Sequence, residues 1–146
     1  MNTFRVGTKL RRHAHQLPSV DREWTAREFA EMRQDRTVNE IVASDESDNV
    51  LGFIVYRRPE THTGIIVLRM KVVAESRRQG IGNMLVDNLK SRIGRRNRII
   101  VDVSETNLGA QLFLKSCGFK CVARLEGSED YRFVWINQGG ETTPTV

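Results

Sequence analysis

The sequence predicts an α/β fold: a mixed central β-sheet of α+β character with helices on both faces. Three observations predict it. Apolar, β-branched runs of strand length recur along the chain, among them Val38–Ala43, Val50–Tyr56 and Ile65–Val73. Residues at helical spacing fill two intervals between such runs. A polar, glycine-bearing loop, Glu75–Gly82, leads from a buried strand straight into the first of those two helices.

Element by element, Thr3–Leu10 alternates Phe4, Val6 and Leu10 against Arg5 and Lys9, which reads as a first strand. Residues 11 to 23 are polar and irregular and support no assignment. Thr25 followed by Glu28 fits a capping box, with Trp24 and Phe29 at the spacing of a hydrophobic staple, so a helix is expected to about Gln34. The acidic turn Asp45–Asn49 joins Val38–Ala43 to Val50–Tyr56, and Pro59 with Gly64 marks the next turn. Ile81, Leu85, Leu89 and Ile93, with Met84, form one helical stripe. Ile99–Val103 is a strand. Asn107 is placed as the cap of a helix bearing Leu108, Leu112 and Phe113, closed by Gly118. Phe119–Leu125 and Tyr131–Ile136 end the fold as a strand pair. Residues 1–136 therefore form a single domain, and the Gly/Thr-rich segment 137–146 is expected to be a disordered tail.

With 146 residues, the chain is long enough to bury about 68–70% of its unfolded surface. Its 39% hydrophobic and 28% charged residues exclude disordered and membrane classes. No apolar run approaches the ~20 residues a membrane-spanning helix needs. The opening MNTFRVGTKLRR lacks an apolar stretch of signal-peptide length, and a cytoplasmic location is expected. Cys117 and Cys121 stand without enough neighbouring ligands for zinc, so they are expected to be reduced, buried thiols and no metal is expected. A net charge of +5 suits an anionic partner without choosing one.

The informative segment is Arg77-Arg78-Gln79-Gly80-Ile81-Gly82. Glycines at the head of a helix let several N–H groups point into one concavity where the helix dipole adds positive potential, and a diphosphate is the natural ligand. A Walker loop fails because Asn83-Met84 stands where Lys-Ser/Thr is required. A dinucleotide fingerprint fails because Leu85 replaces its third glycine. The pattern Arg/Gln-x-x-Gly-x-Gly/Ala fits. A glycine-rich turn with solvated arginines fits these six residues equally well.

That pattern resembles the acyl-CoA-binding loop of the GNAT superfamily, and the surroundings extend the resemblance from about Trp24 to Phe119. Trp24-Thr-Ala-Arg-Glu-Phe29, Ile100-Val-Asp-Val-Ser-Glu-Thr-Asn107, Ala110 and Lys115-Ser-Cys-Gly-Phe119 resemble, in order, blocks of the ribosomal-protein-alanine N-acetyltransferases. The resemblance implies a GNAT-like acyl-CoA N-acyltransferase fold, acetyl-CoA as cosubstrate, and an amine acceptor, either a protein N-terminus or a small molecule. It implies that Met70, Lys71 and Val72 hold the acetyl and pantetheine end. Arg77, Arg78, Gln79, Gly80, Ile81, Gly82 and Asn83 are implied to cradle the pyrophosphate, with Asn107 a further cofactor contact. Asp102 falls at the general-base position. Leu114 departs, standing where the family usually has a tyrosine as general acid.

The chemistry requires a neutral amine to attack a thioester carbonyl. An α-amine, with a pKa of about 7.7–8.0, is partly neutral near pH 7, whereas lysine at about 10.4 is not. Asp102 is the expected base, acting through a water because its side chain is short. A strand-end ion pair is the competing role for Asp102, and Glu105 and Glu75 are fallback bases. Backbone N–H groups near Met70–Val72 are expected to serve the developing oxyanion. Leu114 predicts a slower enzyme, a different acid such as Tyr131 or Cys117, or a silent acyl-CoA-binding module. Arg92, Arg95, Arg96 and Arg98 read as cations at a helix end, one of them able to reach a cofactor 3′-phosphate, in preference to an RNA-binding run. His13 and His15 read as solvated surface. Arg69 and Lys71, interrupting an apolar strand, suit an exposed sheet face or an acidic-substrate groove. No membrane partner is expected, and monomer and homodimer stay open.

Overall fold

The computed structural model describes residues 4–8, 11–21, 26–60, 64–73, 80–94 and 96–137. Among them a seven-stranded sheet runs in the order β1-β2-β3-β4-β5-β7-β6. The strands are β1 Arg5–Thr8, β2 Val38–Ser44, β3 Val50–Arg57, β4 Gly64–Val72, β5 Arg98–Ser104, β6 Lys120–Arg124 and β7 Asp130–Ile136. The helices are α1 Leu17–Val20, α2 Ala26–Arg33, α3 Ile81–Arg92 and α4 Leu108–Ser116, with a 3-10 turn over Arg11–Gln16. The expected mixed sheet is present, and every expected strand and helix falls within a few residues of its expected bounds. Thr25 and Trp24, the expected cap and staple of α2, lie outside the described residues, as does the tail beyond Asn137.

Alternation along the strands sorts side chains into two layers. Ile41, Ile54, Tyr56, Ile65, Ile99, Val103 and Phe133 face α3, whose Ile81, Leu85, Val86 and Leu89 complete that layer. Val42, Phe53 and Val55 face the other way and bury Leu17 of α1 and Phe29 of α2. Phe29 meets Phe53 edge-on at 5.5 Å between ring centroids, a geometry that adds about 0.5–1.5 kcal/mol to the area buried. Residues 11–20, unassignable from the sequence, form a strap instead. His13 is buried and hydrogen-bonded to Asp48 at 2.8 Å, and Gln16 Oε1 accepts the Val50 N–H at 2.8 Å. His13 is therefore core-facing, a correction to its solvated reading, made because the β2–β3 turn supplies polar partners.

One feature of the sheet creates a site. β4 and β5 run parallel and pair from Gly64↔Arg98 only to Val67↔Val101. Beyond that point β4 stays with β3 to Val72, and β5 stays with β7 to Ser104. The β3–β4 register shifts between Val55 and Tyr56, whose partners are Arg69 and Val67, so Leu68 is an inserted bulge residue. A bulge bends its strand, and here it falls where β4 leaves β5.

At the head of α4, Asn107 Oδ1 accepts the Ala110 N–H at 3.1 Å, the expected cap. Asn107→Ala is expected to cost about 1 kcal/mol of stability, read as a lower denaturation midpoint at unchanged m.

Candidate active site

The parting of β4 and β5 opens a cleft of about 1020 Å³, large enough for a sizeable cofactor. Its lining brings together Met70, Lys71 and Val72 of β4, Gly80 to Asn83 at the start of α3, Asp102 of β5, Asn107, Phe113 and Leu114. These segments are far apart in sequence, and most of the residues singled out in it converge here. Arg77, Arg78, Gln79 and Glu75 lie outside the described residues.

The two glycines have separate physical reasons. Gly80 is the N-cap of α3 at φ 79°, the left-handed region where a side chain costs about 1–2 kcal/mol. Gly82 is small because a Cβ there would lie 3.0 Å from Phe113 Cζ and 3.7 Å from Met70 Cε. The first bond within α3 runs from Met84 N–H to the Gly80 carbonyl. The amides of Ile81, Gly82 and Asn83 precede it, and no side chain caps the helix. A helix start with open amides, beside a cleft kept clear by the missing Cβ of Gly82, fits a bound pyrophosphate. Asn107 also lines the cleft. Its Oδ1 is committed to the cap, so Nδ2 is the group with hydrogens to give.

The cleft has two sides, set by the strand layers. Met70 and Val72 join the α3 layer, whereas Arg69 and Lys71, opposite Val55 and Phe53, lie in the α1/α2 layer. Asp102 shares that second side with its cross-strand partner Arg132. Arg132 Nε and Nη2 donate to the two Asp102 oxygens at 2.9 and 3.0 Å, and this bond raises the Arg132 guanidinium above its ordinary value. Asp102 is thus both in the cleft and in the ion pair that competed with its basic role.

The remaining candidates separate. Tyr131 packs on the α3-side core beside Phe133 and Trp135 and is not a lining residue. Glu105 pairs with Arg124 at 3.1 Å and does not line the cleft either. Leu114 is buried in the core wall. The Cys117 Sγ donates to Asn83 Oδ1 at 3.5 Å, and burial pushes its thiol up, so the sulfur is protonated near neutral pH. Cys117 is half-buried and Cys121 exposed, a correction to the expectation of two buried thiols: β6 is an edge strand, exposed along all its residues. Leu108 and Leu112 are 65% and 67% exposed, and α4 turns Phe113 and Leu114 inward instead. Of the arginines expected around the end of α3, Arg92 stands in its last turn and Arg95 lies outside the described residues, while the reach toward a cofactor 3′-phosphate is not supported. α3 is 12 residues long, about 18 Å at 1.5 Å per residue, and it puts Arg92, Arg96 and Arg98 at the far pole of the sheet from the cleft.

Two participants were not foreseen. Asp21, after α1, is buried and forks onto Arg69, with Nη2 to Oδ1 at 3.1 Å and a second bond from Nε. Arg132 holds Asp102. Alternation places Arg132 opposite Tyr131 and Phe133, a signal of its face, but only strand register supplies its partner. Among the described residues no three His, Cys, Asp or Glu side chains gather as metal ligands, and no helix is long and apolar enough to cross a membrane.

Known proteins resemble this architecture. NAA60 from Arabidopsis thaliana, solved with acetyl-CoA, superposes with TM-score 0.77 at 19% identity, covering 94% of this chain and 100% of that one. The ribosomal-protein-S18-alanine N-acetyltransferase from Escherichia coli gives 0.74 at 12%, covering 90% and 91%. The spermidine/spermine N-acetyltransferase SpeG from Vibrio cholerae gives 0.76 at 12%, covering 97% and 98%. No curated protein sequence matches the chain. Residues 37–121, more than half of the chain and carrying both the parting strands and the helix-start glycines, match the family model for an acetyltransferase (GNAT) domain. The chain belongs to the GNAT acetyltransferase family.

Proposed function

We propose that this enzyme acetylates a primary amine by direct attack, with a protein N-terminal amine as the acceptor its chemistry suits best. The observation that carries the proposal is the two-sided cleft: helix-start amides and Asn107 on the α3 side, Asp102 on the α1/α2 side, meeting where β4 and β5 part. Acetyl-CoA supplies an activated carbonyl and a thiolate leaving group. Met70, Lys71 and Val72 would hold its acetyl and pantetheine end; Arg77, Arg78 and Gln79 with Gly80, Ile81, Gly82 and Asn83 would hold its pyrophosphate, with Asn107 beside them. The β4 backbone around Met70, bent away from β5 by the Leu68 bulge, is the source of a hydrogen bond to the carbonyl oxygen as it gains charge. Amine acceptors are named for the similar E. coli and V. cholerae enzymes, an alanine of ribosomal protein S18 and spermidine/spermine.

Asp102 is proposed to take the amine proton through a water on the acceptor side. Arg132 orients its carboxylate and also competes for it, so the demand on the base must be modest. An α-amine, already partly neutral near pH 7, makes that modest demand, and a lysine does not. Asp102→Asn is expected to lower kcat about a hundredfold on an N-terminal peptide, the low end for a general base, with acetyl-CoA affinity unchanged. An unaltered kcat would remove Asp102 from the proton path. Tyr131 stays the weaker proposal for an acid, because its ring packs on the core outside the cleft.

A second reading is favoured by Leu114, which presents hydrocarbon to the cleft where the family's acid stands. On that reading the chain binds acyl-CoA without turnover. Thiol release from acetyl-CoA with amino-terminal peptides, lysine peptides and polyamines, measured beside calorimetric CoA binding, decides between the two. Turnover on an N-terminal peptide is the expected result. CoA binding without turnover on any amine would replace the first reading by the second.

A further inference from the structure

The arginine run after α3 is only part of a larger cluster. Folding brings two other segments to the same pole. The Arg58 N–H donates to the Thr37 carbonyl at 2.7 Å, which sets Arg36 beside Arg57 and Arg58. An Arg58 guanidinium N–H donates to the carbonyl of Arg92, at the end of α3. Arg96 Nη1 donates to the carbonyls of Pro59 and Gly64, at 2.7 and 3.5 Å. Gly64 is in turn the strand partner of Arg98. Six described arginines thus converge, and the only carboxylates carried by the same three segments are Asp35 and Glu60. Asp35 is engaged by Arg57 at 3.4 Å.

We propose that this pole, opposite the acetyl-transfer cleft, is a binding surface for the phosphodiester backbone of single-stranded RNA. The cations are all arginine, whose planar fork matches phosphate oxygens. Arg58 is anchored by one backbone carbonyl and Arg96 by two, which fixes those side chains, while Arg36 and Arg98 are exposed. From β3 to β5 the strand ends span about 10 Å, two strand spacings, room for more than one phosphate. A lipid surface is disfavoured because the patch offers little to insert: of the large exposed apolar residues Leu108, Leu112, Val122 and Ile136, only Ile136 borders it, paired with Arg98. An acidic protein partner is disfavoured because the described residues of the patch offer no exposed apolar centre of the kind protein interfaces bury. A phosphate backbone requires neither, since counterion release supplies the affinity.

The test is fluorescence anisotropy of a labelled mixed-sequence RNA of about twenty nucleotides with the full chain, beside polyglutamate and phosphatidylserine vesicles. Three or four phosphate contacts predict that affinity falls about 20- to 50-fold from about 50 to about 200 mM salt. The exposed pair Arg36→Gln with Arg98→Gln is expected to weaken binding about tenfold at low salt and to flatten the salt slope by one to two. Its thermal melt should match the wild type, and saturating acetyl-CoA should leave RNA binding unchanged. Absence of RNA binding, or equal affinity in the double variant, overturns the proposal. Displacement of RNA by acetyl-CoA would put the RNA on the cofactor cradle instead. Binding of polyglutamate or of the vesicles as strongly as RNA would assign the surface to an acidic protein or a membrane.

Discussion

Gly82→Leu is expected to abolish acetyl-CoA binding by calorimetry and to reduce acetyl transfer more than a thousandfold, while the protein still folds. A Cβ at this position already meets Phe113 at 3.0 and 3.1 Å and Met70 at 3.7 Å. The rest of a leucine has no direction that avoids both them and the cleft they line. Phe113 cannot retreat freely, because it packs against the core layer that holds Leu114 and Phe119. The side chain therefore fills the space proposed for the pyrophosphate and crowds the amides of α3's first turn.

The fold should survive, because two effects on stability oppose each other. Replacing glycine by leucine within a helix favours the helix by about 0.8–1 kcal/mol. Overpacking against Phe113 costs about 1–3 kcal/mol. The net change is small beside the ~5–15 kcal/mol typical of a domain, so circular dichroism should show a native spectrum and a melt lowered by a few degrees. Gly80→Ala separates occlusion from strain. A Cβ at Gly80 meets nothing within 4 Å, so its whole effect is the φ of 79°, about 1–2 kcal/mol. Its expected loss of acetyl-CoA affinity is tenfold or so, far short of the Gly82 effect. If Gly82→Leu binds acetyl-CoA as the wild type does, the cofactor does not lie over α3's first turn.

This contrast also shows what was legible in the sequence. The pair of glycines announces a helix start that something approaches closely, but the reason for the second one, the ring of Phe113 on α4, is a contact between segments thirty residues apart. Periodicity gave the strands and the faces of α3, because a sheet and a helix stripe repeat at fixed intervals. It could not give the ladder's end at Val67↔Val101, which makes the cleft, since strand pairing is not written in either strand alone. Asp102 was found through its place in a resembling segment, whereas its hold by Arg132 depends on register. The strap over residues 11–20 was illegible for a related reason. Its side chains His13 and Gln16 bond to the β2–β3 turn, a contact no local pattern signals, and its apolar anchors are Leu17 and Val20.

The end of that strap carries the largest expected stability effect. Asp21 is 1% exposed and lies between α1 and the site's acceptor side, where it forks onto Arg69 of β4. A buried ion pair of this kind need contribute little net energy, because desolvating both ions offsets their attraction, but removing one partner strands the other. Asp21→Ala removes the buried carboxylate that forks onto Arg69, whose side chain is 21% exposed and which stands opposite Val55 in the α1/α2 layer. The expected cost is about 3–5 kcal/mol, from the general behaviour of broken buried pairs, measured as a fall in the urea midpoint with unchanged m. Removing both partners tests the cause. Asp21→Ala combined with Arg69→Met takes out the Arg69 charge as well while keeping most of the side-chain volume, and should recover most of the loss. If the double variant is as unstable as the single, the destabilisation comes from the end of α1, where the Asp21 N–H closes onto the Leu17 carbonyl at 3.0 Å, and not from the charge. Recovery of stability without recovery of turnover on N-terminal peptides would further assign the pair a part in holding β4's acceptor side at its distance from Asp102.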